Sequence, residues 1–173
     1  NPNQVPWQYI FGRGLTIFII LNLYLYFEEG IKFWKNYLKI GKSGILGGSG
    51  LGIAMISFIY SITNTTAAIT LLCLAAMPFF TALLAFIFLK ENISINVWIS
   101  IVIATIGIII MAFGNTGENS LIGFIFGITS SVGFSVFSVT LRWRTETPKF
   151  TTVAFAGLFC FVFATIMILI KGQ

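Results

Sequence analysis

Six apolar stretches, each long enough to cross a bilayer, fill almost the whole of this 173-residue chain. A spanning helix needs about 20 mostly apolar residues to cover a hydrocarbon core about 30 Å thick. The stretches are residues 7–27, 44–62, 65–89, 95–113, 121–141 and 150–170. Charged residues are 9% of the chain, against about 25% in a soluble domain. The segments are apolar all round, without the polar face that a surface helix of a soluble protein carries. The reading is all-α: a polytopic transmembrane helical bundle with the lipid bilayer as its surroundings.

The charges that remain are placed by the connections. Lys32, Lys35, Lys39 and Lys42 follow the first span, Lys90 and Glu91 the third, and Arg142, Arg144 and Lys149 the fifth. The second connection, Thr63-Asn64, has no charge, and the fourth holds only Glu118. Cytoplasmic loops of membrane proteins carry the excess of Lys and Arg. The basic connections are therefore expected in the cytoplasm and both chain ends outside. A net charge of +5 split among short loops is not the continuous basic face that binds nucleic acid, so no nucleic-acid partner is expected.

The chain has no His, which removes the commonest metal ligand and general base. Cys73 and Cys160 are single cysteines inside apolar runs and read as small buried residues. Gly41-Lys42-Ser43 lacks the upstream glycine of a phosphate-binding loop, because Asn36 stands there. No paired carboxylates or nucleophile–base pair stand out. No catalytic residue, metal or cofactor is expected, and the protein is not read as an enzyme.

Several residues inside the spans break the apolar pattern. Arg13 lies about 9 Å along its helix from Trp7, where a charge is costly unless it pairs, faces a cavity or snorkels to the headgroups. Asn22 is expected to donate a hydrogen bond to another helix. Gly44, Gly48 and Gly52, with Gly47 and Gly50 alongside, make a small-residue stripe, repeated at Gly123, Gly127, Ser131 and Ser135. Such stripes let backbones approach closely, as packing faces or as sliding seams. Pro78 near the middle of the third span predicts a kink that frees a carbonyl near Leu74. Glu91 at that helix's C-terminus opposes the helix dipole and is expected to have a partner, a basic loop residue or the next helix's N-terminal amides. In residues 31–42, Lys at helical spacing beside Ile31, Trp34 and Leu38 fits either a short interfacial helix or a plain basic loop.

The ordered set of segments resembles the EamA-type transporters of the drug/metabolite transporter superfamily. Trp7 to Arg13 opening a helix resembles that family's second helix. Ser57-Phe58-Ile59-Tyr60 followed by Thr65-Thr66-Ala67-Ala68 resembles the turn from its third to its fourth. Pro78-Phe79-Phe80-Thr81-Ala82-Leu83-Leu84 leading to Leu89-Lys90-Glu91-Asn92-Ile93-Ser94 is similar to its most recognisable segment. Residues 97–114, then Gly123 to Val139 with Arg142, resemble the end of one repeat and the start of the next.

The resemblance implies a pair of inverted five-helix repeats, of which this chain holds helices two to seven of ten and is truncated at both ends. Residues 1–114 would be four helices of the first repeat, and 115–173 the first two of the second. An odd helix number per repeat forces the inversion, which fits alternating access around a midplane site. The implied function is export of a small-molecule substrate, a metabolite or drug, across a bacterial inner membrane. Tyr60, Asn64, Thr70, Met77 and Ser131 are the implied substrate contacts, and Arg13, Pro78 and Glu91 the structural or gating residues. A spanning carboxylate for proton coupling is not seen. A native protein of this length alone would need a homodimer to complete a carrier. Two other classes compete: a membrane assembly subunit docking through the glycine stripes, and a lipid-modifying enzyme, which the missing His and carboxylates disfavour.

Overall fold

A backbone in hydrocarbon must satisfy its own N–H and C=O groups, so apolar stretches of this length fold as helices. The computed structural model describes residues 7–92, 94–114 and 120–171. The helices are α1 (Trp7–Glu29), α2 (Trp34–Lys39), α3 (Gly41–Asn64), α4 (Ala67–Ala75), α5 (Met77–Leu84), α6 (Ile95–Gly114), α7 (Ser120–Trp143) and α8 (Lys149–Lys171). Among the described residues, five helical stretches are long and apolar enough to cross a membrane. The sixth expected span falls on α6, whose Ile95–Gly107 portion is apolar. The connection with Asn115 and Glu118, and Ile93, lie outside the described residues.

The helices pack as a row. α3 lies between α7 and α8, α1 lies on α8, and α4 and α5 lie on α7, with α6 touching α5 at the edge. The glycines of α3 make this possible by serving two faces. On one, Gly47 and Gly50 meet Thr140 and Val136 of α7; on the other, Gly48 and Gly52 meet Phe155 and Phe159 of α8. At the α3–α7 crossing a Cβ on Gly133 would stand 2.6 Å from the Gly50 carbonyl oxygen, so only glycine allows that approach. The stripes are thus filled from within the chain.

The segment after α1 forms a 3-10 turn, Gly30–Phe33, and then α2. Ile31, Trp34 and Leu38 are all exposed there, as an interfacial helix requires. Asn22 differs from expectation. Its amide donates to the Phe18 carbonyl of its own helix, and its Oδ1 accepts from the Tyr37 hydroxyl at 2.8 Å. It therefore ties α2 back onto α1 as an acceptor.

The expected third span is two helices. The chain breaks at Ala76, where Pro78 has no N–H to continue the ladder. α3 runs to Asn64, two residues beyond the expected end, because Asn64 donates its amide to the Tyr60 carbonyl at 2.8 Å. Thr66 then caps α4 by accepting from the Ile69 N–H.

Candidate functional site

Three basic connections meet at one end of the bundle. Ser43 of α3 and Thr147 share a hydrogen bond of 2.8 Å, and Arg144 lies against Gly41. Glu91 and Arg142 form an ion pair. The opposite end carries Trp7, whose ring meets Tyr60 edge-on at 5.4 Å, and Tyr60 in turn meets Phe126 at 4.9 Å.

A crevice of about 280 Å³ opens near the basic end between α3, α5 and α7. Leu46, Leu84, Phe88, Val136, Thr140 and Trp143 line it. Its one hydroxyl, that of Thr140, turns to the Val136 and Phe137 carbonyls, which leaves the lining mostly apolar, with the Trp143 indole N–H as its other polar side-chain group. Past α5 the chain makes a π-type turn, Ala85–Leu89, and Lys90 takes a left-handed backbone with φ 54°. That conformation costs a non-glycine residue energy, and it ends the helix. The next residue, Glu91, meets α7: Arg142 Nη2 donates to both carboxylate oxygens, at 2.9 and 2.8 Å. This is the partner expected for Glu91, drawn from a basic loop. The pair sits beside the lining residues Leu89 and Trp143, so it bridges the two walls of the crevice.

The residues implied as substrate contacts are spread along the other half of α3, α4 and α7. Tyr60 is half-buried in the aromatic contacts above, and Asn64 is half-buried with its amide on the Tyr60 carbonyl. Thr70 is fully buried and hydrogen-bonded to Ser61 at 2.9 Å. Ser131, fully buried, donates to the Cys73 carbonyl and to Gly127. Met77 is half-buried, and its carbonyl accepts from Ser135 at 2.9 Å and Thr81 at 2.8 Å. The structure therefore places Met77 and the contact of Ser131 with Cys73 at the helix break, Thr70 earlier on α4 against Ser61, and Tyr60 and Asn64 toward the Trp7 end. The carbonyl freed by Pro78, that of Leu74, shares the Ala76 N–H with the Cys73 carbonyl. Pro78 itself is exposed. Cys73 and Cys160 are both buried free thiols.

Arg13 is half-buried on α1 and has no carboxylate partner among the described residues. Sequence reasoning missed the crevice and the staple that Ser131 and Ser135 make across the break. The signal for the staple was present: two serines four residues apart on one helix, opposite a proline-broken one. No group of three or more His, Cys, Asp or Glu that would hold a metal is found among the described residues.

No solved structure matches the chain. It is similar to two proteins of Helicobacter pylori, each described as an uncharacterized transporter. The one from strain J99 is 27% identical over 140 residues, covering 79% of this chain and 46% of the relative. The one from strain 26695 is 26% identical over the same coverage. The chain thus spans about half the length of these curated relatives. The sequence model of the EamA-like transporter family matches residues 3–113, which is most of the chain: it belongs to the EamA-like transporter family.

Proposed function

We propose that this chain is the part of a bacterial inner-membrane exporter that forms one wall of its substrate path, moving small metabolites or drug-like molecules by alternating access. The observation that carries the reading is the apolar crevice between α3, α5 and α7, bridged at its mouth by the Glu91–Arg142 pair. Apolar lining with a few polar groups at the edge is the usual make-up of a small-molecule site. It favours cargo with an apolar, ring- or chain-bearing body. No covalent step on the cargo is part of the proposal.

In this reading α5 is the gating element, hinged at Ala76 beside Pro78 and latched at Glu91. Met77 and Tyr60 keep surface for a ligand, while Thr70, Asn64 and Ser131 hold the hinge and helix end that present it. The repeat assignment, residues 1–114 and 115–173, is supported by the α1–α8 crossing. There a Cβ on Gly14 or on Gly157 would lie within 3.0 Å of the other's carbonyl oxygen, a reciprocal contact of the kind a twofold relation between matching helices requires. The assembly-subunit reading loses its footing, because the α3 stripes it would dock through are already covered by α7 and α8.

The test is flux. Vesicles bearing the protein from its native membrane should extrude a fluorescent aromatic probe, and Phe88→Ala should alter that flux without loss of inserted protein, since Phe88 is exposed. Normal insertion with no flux of any probe in a broad panel would return the assembly-subunit reading to the front.

A further inference from the structure

The Trp7 half of α1 carries a face, with several polar side chains on it, that no other described helix covers. Gln8, Tyr9, Gly12, Arg13, Thr16 and Ile17 border an open hollow of about 560 Å³. A Cβ on Gly12 would meet no atom within 4 Å. Arg13 also borders a small gap beside Met55, Ile59 and Cys160, so its stem is packed while its charge has no ion pair among the described residues. Among the described residues the Thr16 hydroxyl is unpartnered too, as are those of Thr65 and Thr151. Thr63, Thr81, Thr105, Thr129 and Thr165 each bond back to a carbonyl of their own helix; Thr16 has no hydrogen bond among the described residues.

Depth decides what can cover this face. At the helical rise, Arg13 lies about 9 Å and Thr16 about 14 Å from Trp7 along the axis. Arg13 alone can snorkel to a headgroup, but Thr16 and Gly12 face acyl chains that offer no acceptor. A bare glycine beside polar side chains is instead the composition of a helix–helix contact. A second copy meeting this face by its own α1 would set Arg13 against Arg13. The matched relatives hold more than half their length outside the matched region, ample for another helix.

We propose that this face of α1 seats a further transmembrane helix, outside this chain, whose carboxylate pairs with Arg13 and whose backbone runs close over Gly12. The site is separate from the crevice, so it stands whether or not the crevice carries substrate.

The experiment places a photo-cross-linking residue at Thr16, and separately at Gly12, in the protein in its native membrane, and identifies adducts by mass spectrometry. The expected product is a peptide from a transmembrane helix holding Asp or Glu, lost in Arg13→Ala and kept in Arg13→Lys. Exchanging charges, Arg13→Glu with that carboxylate changed to Lys, should restore it. Phospholipid adducts alone, a cross-link to α1 of a second copy, a peptide carrying Glu118, a helix without a carboxylate, failed restoration, or no adduct from inserted protein would each overturn the proposal.

Discussion

Ser131 and Ser135 stand one helical turn apart on α7 and reach the Cys73 and Met77 carbonyls on either side of the break in the third span. Interhelical hydrogen bonds of this kind contribute about 0.6 kcal/mol on average in a membrane, and up to about 1.7. Ser131→Ala is therefore expected to lower thermal stability in detergent by about 1 kcal/mol, while Ser100→Ala, whose hydroxyl only bonds its own helix at an exposed position, leaves it unchanged. Glu91 and Arg142 behave differently. Both are partly exposed, 40% and 52%, and such pairs contribute about 0–1 kcal/mol. Glu91→Gln should shift the melting curve little but change the rate of probe flux, read in the same vesicles. That Glu91 needed a partner was legible from its place at a helix C-terminus. That the partner is Arg142 was not, because it lies 51 residues away and only packing brings it there. The hydrogen-bond partners of Thr70 and Ser131 were hidden for the same reason: a hydroxyl in a span reads alike whichever helix it meets.

The glycine pattern identified α3 as a helix meant for close contact, but not that it presents two faces to two partners. The physical contrast lies in what each missing Cβ would meet. Gly133→Ala drives a methyl into backbone and Ala54 of α3, an overpacking expected to cost about 1–3 kcal/mol. Gly107→Ala on α6, with open space around it, is expected to gain up to about 1 kcal/mol in helix propensity. Equilibrium unfolding of the two variants in matched micelles checks the sign of each. The Pro78 kink was legible because proline removes a specific hydrogen bond. The π-type turn and left-handed Lys90 that follow were not, since they depend on how α5 leaves α7 rather than on any residue's own preference.

At the scale of the molecule, composition made the helical, membrane-spanning nature legible, and the structure adds that the three basic connections gather at one end. A reporter fused at Lys39 should therefore read cytoplasmic and one at Asn115 external; the reverse pattern would overturn the orientation. What remained hidden was neighbour order, because bilayer-spanning helices share composition and any two can pack. The order has a consequence for how the protein is made. α1 finds its main partner in α8, the last helix of the row to be synthesised. Until residues 149–171 leave the ribosome, α1 waits with the Gly14 groove unfilled by α8, and the α8-facing side of α3 waits with it. Packing of these helices is thus completed only when α8 joins them, and chains halted before α8 should be ones that membrane quality-control proteases remove.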